Sequence, residues 1–341
     1  MSVRLRRARV CLALVLAACS SSPPAKPEPT ASVVAPAARG EVSTQTFHSA
    51  ALGVDKHVLV YLPAGYAADP AKRWPVFYYL HGLGGNETNW IQLGKLDAAA
   101  DAIHLGAIVV MPDGDDKFYI DSPTPTDYDA CMRDGKGLLS PREPRAETCV
   151  HTNQYETYIT HDLVDWVDAT YRTIATRDGR AVAGLSMGGF GALVLGFRRP
   201  EMFSAIASHS GVATWFLKGP RPYVSGKAEL LTDVTNWGDD IGAMGTWIRN
   251  LFGPDIAFWR DHDAATLVPK LEPGKLAIYL DCGTEDDLGL DLGTTYLHDL
   301  LAQRKIEHAY YEGPGHHNFD FWSARVGKSL EFLRDHTTAA R

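Results

Sequence analysis

Cysteine is scarce in this chain of 341 residues, which carries only five, and that scarcity excludes a small domain stapled by a dense disulfide framework. Basic residues are in deficit as well, 33 Lys and Arg against 41 Asp and Glu, for a formal charge of −8. An acidic surface repels phosphate backbones, so nucleic acid and other anionic polymers are excluded as partners. No internal repeat is visible, which removes solenoids and propellers. Metal-ligand spacing is missing too. The adjacent pair His316 and His317 lacks the one-turn separation by which a helix offers two imidazoles to zinc, so neither a metal nor a cofactor is expected. What is present is the make-up of an ordinary globular protein, 45% hydrophobic, 22% charged and 10% aromatic. Composition shows no second regime after residue 45, so one large domain is expected there.

The first forty residues differ from the rest. Arg4, Arg6, Arg7 and Arg9 precede the apolar stretch Val10 to Ala18, the pattern of a secretory signal and too short to span a bilayer. The stretch closes on Leu16-Ala17-Ala18-Cys19, which resembles the bacterial lipobox. Residues 1–18 are therefore expected to be a lipoprotein signal peptide, and Cys19 the lipidated first residue of the mature chain. Residues 19–42 are rich in Pro, Ala and Ser and nearly devoid of large apolar side chains. Such a segment buries too little surface to offset its ordering entropy and is expected to be a disordered tether. The implied address is extracytoplasmic, on a bacterial membrane touched only through the lipid. In that oxidising compartment Cys131 and Cys149, which bracket a loop rich in Gly, Pro and charge, are candidates for a disulfide. Cys282, at the end of an apolar run, reads as a buried free thiol.

Beyond residue 43 the pattern is that of an α/β protein. His57 to Pro63 alternates like a strand, while Trp74 to Leu80 and Ala107 to Met111 are near-continuous apolar runs, as in strands buried on both faces. Ile159, Leu163, Trp166 and Val167 recur at helical spacing between Tyr155 and Tyr171. Further strands are expected over Arg180–Leu185, Ala205–Ser208, Leu276–Leu280 and His308–Glu312, with helices over Gly188–Phe197, Leu292–Arg304 and Asp320–Asp335. Strands alternating with helices predict a mostly parallel central sheet flanked by helices. Between about 213 and 270 the rhythm breaks into a stretch with Trp215, Phe216, Tyr223, Trp237, Trp247, Phe252 and Trp259. It reads as a small cap insertion whose aromatics mostly pack on the sheet, some of them lining a pocket.

Three segments carry chemistry. Gly184-Leu185-Ser186-Met187-Gly188 is a Gly-x-Ser-x-Gly pattern between a predicted strand and a predicted helix, where a serine on a strained turn needs small neighbours. Leu80-His81-Gly82-Leu83-Gly84-Gly85 follows a buried strand, and its glycines let backbone N–H groups face a substrate. The N–H groups of Leu83 and Met187 are the expected oxyanion donors, with His81 read as a residue that stabilises the turn. A serine nucleophile needs a histidine base held by a carboxylate, in the chain order Ser, acid, His. Asp281-Cys282-Gly283-Thr284-Glu285-Asp286-Asp287 and Gly313-Pro314-Gly315-His316-His317 both lie just past predicted strands. Asp286 is the first choice for the acid, ahead of Asp287 and Glu285, and His317 is preferred to His316. His104, His161 and His209 read as structural.

These motifs, together with Met111-Pro112-Asp113-Gly114 and Tyr155-Glu156-Thr157-Tyr158-Ile159, resemble the esterase D-like branch of the α/β hydrolases. That branch includes S-formylglutathione hydrolases, tributyrin, feruloyl and acetylxylan esterases, and mycolyltransferases. The resemblance covers residues 45 to 335 and is most specific over Gly184 to Ala192. It implies an α/β-hydrolase fold over 43–337. It also implies an acid placed as Asp286 is after Cys282-Gly283, and a histidine five residues before a tryptophan, as His317 stands before Trp322. The chain departs from the pattern in placing His316 where a third glycine is common. The implied activity is hydrolysis of carboxylic esters through a Ser–His–Asp triad, on short-chain or carbohydrate-linked acyl esters. The alternatives are acyl transfer to a sugar or glycerol hydroxyl and, of a different class, a non-catalytic surface binding protein.

Overall fold

The computed structural model describes residues 39–139, 144–220 and 223–341. The expectations for the signal peptide, Cys19 and the tether up to residue 38 lie outside the described residues.

Among the described residues there are ten strands: β1 Glu41–Ser49, β2 Val54–Leu62, β3 Val76–Leu80, β4 Ile108–Pro112, β5 Arg180–Leu185, β6 Ala205–His209, β7 Leu217–Lys218, β8 Glu229–Leu230, β9 Ala277–Gly283 and β10 Ala309–Gly313. Eight of them form one sheet in the order β1-β2-β4-β3-β5-β6-β9-β10. The pairings β1 with β2 and β2 with β4 are antiparallel, and those from β4 through β10 are parallel. β7 and β8 make a separate hairpin inside the insertion.

The apolar runs are continuous because the central strands are covered on both sides. One face carries Tyr78, Ile108, Val182, Ile206 and Ile278, packed under the helices Met187–Arg198 and Leu290–Gln303 and under Ile159 and Leu163. The other carries Phe77, Val109, Ala181, Ala207 and Tyr279, packed under Leu96 and Ala100 and under the C-terminal helix Phe319–Asp335 through Val326, Leu330 and Leu333. The alanines of β5 and β6 let that last helix lie close on the middle of the sheet.

β1 opens at Glu41, so the segment expected to be a tether up to residue 42 gives way to strand at its last two residues. The strand sits at the sheet edge, exposed or half-buried at every position except Phe47 and Ser49, so its residues give no apolar signal. Cys131 and Cys149 are joined by a disulfide and Cys282 is a buried free thiol. The insertion holds the helices Ala243–Phe252 and Ile256–Asp261. Phe216, Phe252 and Trp259 are core residues there, the packing role expected for most of its aromatics.

Candidate active site

Ser186 stands between β5 and the helix Met187–Arg198, with φ 52° and ψ −116°. A non-glycine residue at such angles carries roughly 1–3 kcal/mol of strain and persists only where its surroundings impose it. Two glycines make this possible. A Cβ on Gly184 would lie 2.3 Å from the Gly188 carbonyl oxygen, and one on Gly188 would lie 2.3 Å from that of Leu80. The turn is fastened further by the Ser186 N–H, which donates to the His209 carbonyl at 2.9 Å.

The turn after β10 brings His317 over the serine. His317 Nε2 lies 2.9 Å from Ser186 Oγ, and its Nδ1 lies 2.7 Å from Asp286 Oδ2. The ring also meets Trp322 edge-on, with centroids 4.9 Å apart. Asp286, in the turn after β9, is fully buried. Its other oxygen accepts the amides of Leu288 at 3.0 Å and Leu290 at 3.2 Å, which fixes the carboxylate in place. Burial alone would raise its pKa. The hydrogen bond and charge of His317, with those two amides, outweigh burial and hold it below the usual carboxylate range. The Cys282 thiol reaches the same oxygen, Oδ2, at 3.6 Å; its own pKa is pushed up by burial and by the Asp286 charge.

The alternative residues point elsewhere. His316 is more than half exposed and faces the exposed Asp287 at 3.4 Å. Asp287 also accepts the His317 amide, and Glu285 accepts the Gly315 amide, so both acids shape the turn that carries the imidazole. His161 bonds to Thr160, and His104 occupies a left-handed turn. His209 is sealed in the core between Asp281 at 2.8 Å and Ser329 at 2.8 Å.

Leu83 and Met187 border the same cleft as Ser186 and His317, a cavity of about 970 Å³. Among the described residues neither backbone N–H has a protein acceptor, and that of Met187 opens the helix whose dipole favours negative charge. Phe118, Trp215, Trp237 and Ile248 supply apolar walls, so two of the insertion's tryptophans are lining residues. Among the described residues no group of three or more His, Cys, Asp or Glu side chains is arranged to hold a metal ion.

A mostly parallel sheet, a serine on a strained strand-to-helix turn, and a carboxylate and histidine from the ends of later strands define an α/β hydrolase. The chain belongs to the Esterase family, whose model matches residues 49–333, in keeping with the esterase D-like resemblance of its motifs. It is 32% identical to Esterase Rv1288 of Mycobacterium tuberculosis over 168 residues, 49% of this chain and 32% of that protein, so it spans about a third of that relative's length. A longer match of 259 residues, 75% of this chain and 82% of the relative, is 23% identical to the acetyl esterase of Caldicellulosiruptor saccharolyticus. A solved ferulic acid esterase shares the fold with a TM-score of 0.65 at 20% identity, covering 88% of this chain and 100% of that one.

Proposed function

We propose that this chain is a serine carboxylesterase working through an acyl-enzyme. Ser186 Oγ attacks the ester carbonyl while its proton passes to His317 Nε2. Asp286 holds the Nδ1–H and stabilises the imidazolium, and the carbonyl oxygen, now an oxyanion, accepts from the Leu83 and Met187 amides. His317 returns the proton to the departing alcohol, takes one from the water that attacks the acyl-enzyme, and gives it to Ser186 Oγ as the acid leaves. The observation that carries this reading is the unbroken hydrogen-bond chain from Asp286 through His317 to Ser186, ending in an open cleft.

The substrates proposed are short-chain or carbohydrate-linked acyl esters. The cleft supports this with apolar walls at Phe118, Trp215 and Ile248 beside polar residues such as Asn236 and Asp239, as do the relatives named acetyl esterase and ferulic acid esterase. The proposed setting is the extracytoplasmic face of a membrane, reached through lipid on Cys19. The Cys131–Cys149 disulfide supports an oxidising compartment, and incorporation of labelled palmitate that is lost in Cys19→Ser would test the anchor. The activity is tested with nitrophenyl esters of graded acyl length and with acetyl and feruloyl sugars, alongside an organophosphonate. One phosphonate per chain on Ser186, with turnover lost in Ser186→Ala, is expected. A loss below about a hundredfold in kcat for Ser186→Ala overturns the reading.

A further inference from the structure

The peptide plane that carries the Leu83 N–H is held from its opposite end. In a trans peptide the N–H and C=O point to opposite sides of one rigid plane, so whatever grips the Gly82 carbonyl also aims the Leu83 N–H. Two donors grip it, His81 Nδ1 at 2.9 Å and the Gly85 amide at 3.0 Å. His81 is 1% exposed, and its Nε2 accepts the Gly114 amide at 2.8 Å. The Gly82 carbonyl can only accept, so Nδ1 carries the proton that it donates there; Nε2 also lies 3.4 Å from Asp113 Oδ1. The neighbouring plane is pinned as well. The Gly84 amide donates to Asp116 Oδ1 at 2.6 Å, and Asp116 is buried. Tyr119 adds a third tie, its hydroxyl donating to the His81 carbonyl at 3.0 Å. Gly114, Asp116 and Tyr119 all belong to the single loop that leaves β4. Without these ties a Gly-Leu-Gly-Gly segment, with Gly84 at φ 73°, has the backbone freedom to turn the N–H away.

We propose that His81 and Asp116 are positioning residues of the oxyanion hole, fixing from behind the two peptide planes on either side of Leu83. The proposal rests on the esterase reading and on Leu83 as one of the oxyanion donors. Neither side chain touches substrate. His81 aims the N–H, and by donating into the carbonyl of the same amide it also polarises that N–H toward the developing charge. Their contribution therefore appears where the carbonyl oxygen gains charge, in kcat, and hardly at all in ground-state binding.

The test compares His81→Ala, Asp116→Ala and Asp116→Asn with the wild-type chain. It reads kcat and KM on a nitrophenyl ester, the inhibition constant of a trifluoromethyl ketone that Ser186 converts to a bound oxyanion, and the melting temperature. Deleting an oxyanion donor outright costs about 10²–10³-fold in kcat, so misaiming one is expected to cost roughly 10–100-fold in the two alanine variants. KM should stay within about threefold, and ketone affinity should fall in step with kcat/KM. Asp116→Asn, which keeps an oxygen acceptor for the Gly84 amide, is expected to recover most of the loss. Folded alanine variants with kcat and ketone affinity near wild type, whatever their melting temperatures, overturn the proposal. If His81→Ala does not fold, the Asp116→Ala and Asp116→Asn pair decides, and equal losses in the two count against it. A wild-type chain that neither hydrolyses esters nor takes phosphonate on Ser186 overturns the esterase reading and this inference together, whereas wild-type activity with indifferent variants overturns this inference alone.

Discussion

At the scale of single residues, access separates two constellations of the same atoms. Ser186, His317 and Asp286 form a hydrogen-bonded chain that opens on a cleft. Ser329, His209 and Asp281 form another, with distances as short, but all three are 0% exposed. The second constellation braces the C-terminal helix against β6 and β9; only the first can meet a substrate. The serine was legible in the sequence because its strained turn demands the flanking glycines, which leave a pattern. The choice among Glu285, Asp286 and Asp287 was not legible from residue chemistry, since three neighbouring acids differ only in the direction the turn gives each. The inner brace left no pattern either, its members being scattered over 120 residues. The contrast between the paired histidines is sharp enough to measure. His317→Ala is expected to lower kcat by about 10³-fold or more, while His316→Ala leaves it within about threefold. Comparable losses in both variants would place the general base in the wrong ring.

At the scale of elements, the buried strands were legible for a physical reason: parallel strands covered on both faces must be apolar throughout, and β3, β4 and β5 are. β1 escaped because an exposed edge strand has no such requirement. The helix beginning at Tyr155 was legible from its spacing, but its π-helical widening over Tyr158–Leu163 was not, because the apolar period reports the buried face and not the hydrogen-bond step. Next to that widening, Glu156 is buried and ties three elements together. It pairs with Arg198 at 3.3 Å and Arg199 at 2.9 Å at the end of the helix behind Ser186, and lies 3.7 Å from His262 of the insertion. Burial pushes the Glu156 pKa up, but His262, Arg198 and Arg199 outweigh it and bring the carboxyl down to about 2. A carboxyl whose folded pKa is depressed contributes stability that is complete above its unfolded value and is lost as pH falls through the folded one. Glu156→Gln is therefore expected to cost on the order of 2–3 kcal/mol at neutral pH. The gap from wild type should narrow between about pH 4.5 and pH 2 in denaturant titrations. A gap that is constant across that window would contradict the assignment.

At the scale of the whole molecule, the large Esterase-family sheet does not depend on its few cysteines, yet one loop is stapled. The Cys131–Cys149 bridge spans 18 residues, and closing a loop of that size restricts the unfolded chain by about 3 kcal/mol. Cys131→Ala with Cys149→Ala is expected to lower the melting temperature by about 5 °C, with no further response to reductant. An unchanged melting temperature would show that the bridge restrains a segment already free to move. The central claim concerns Ser186, and a covalent intermediate tests it most directly. The chain is mixed with a slowly deacylating ester, quenched in acid, and weighed intact before digestion. The account predicts a mass increase of one acyl group per chain, located on the peptide containing Ser186 and absent from Ser186→Ala. An acyl group on another residue, or ester turnover in which Ser186 is never acylated, would contradict it.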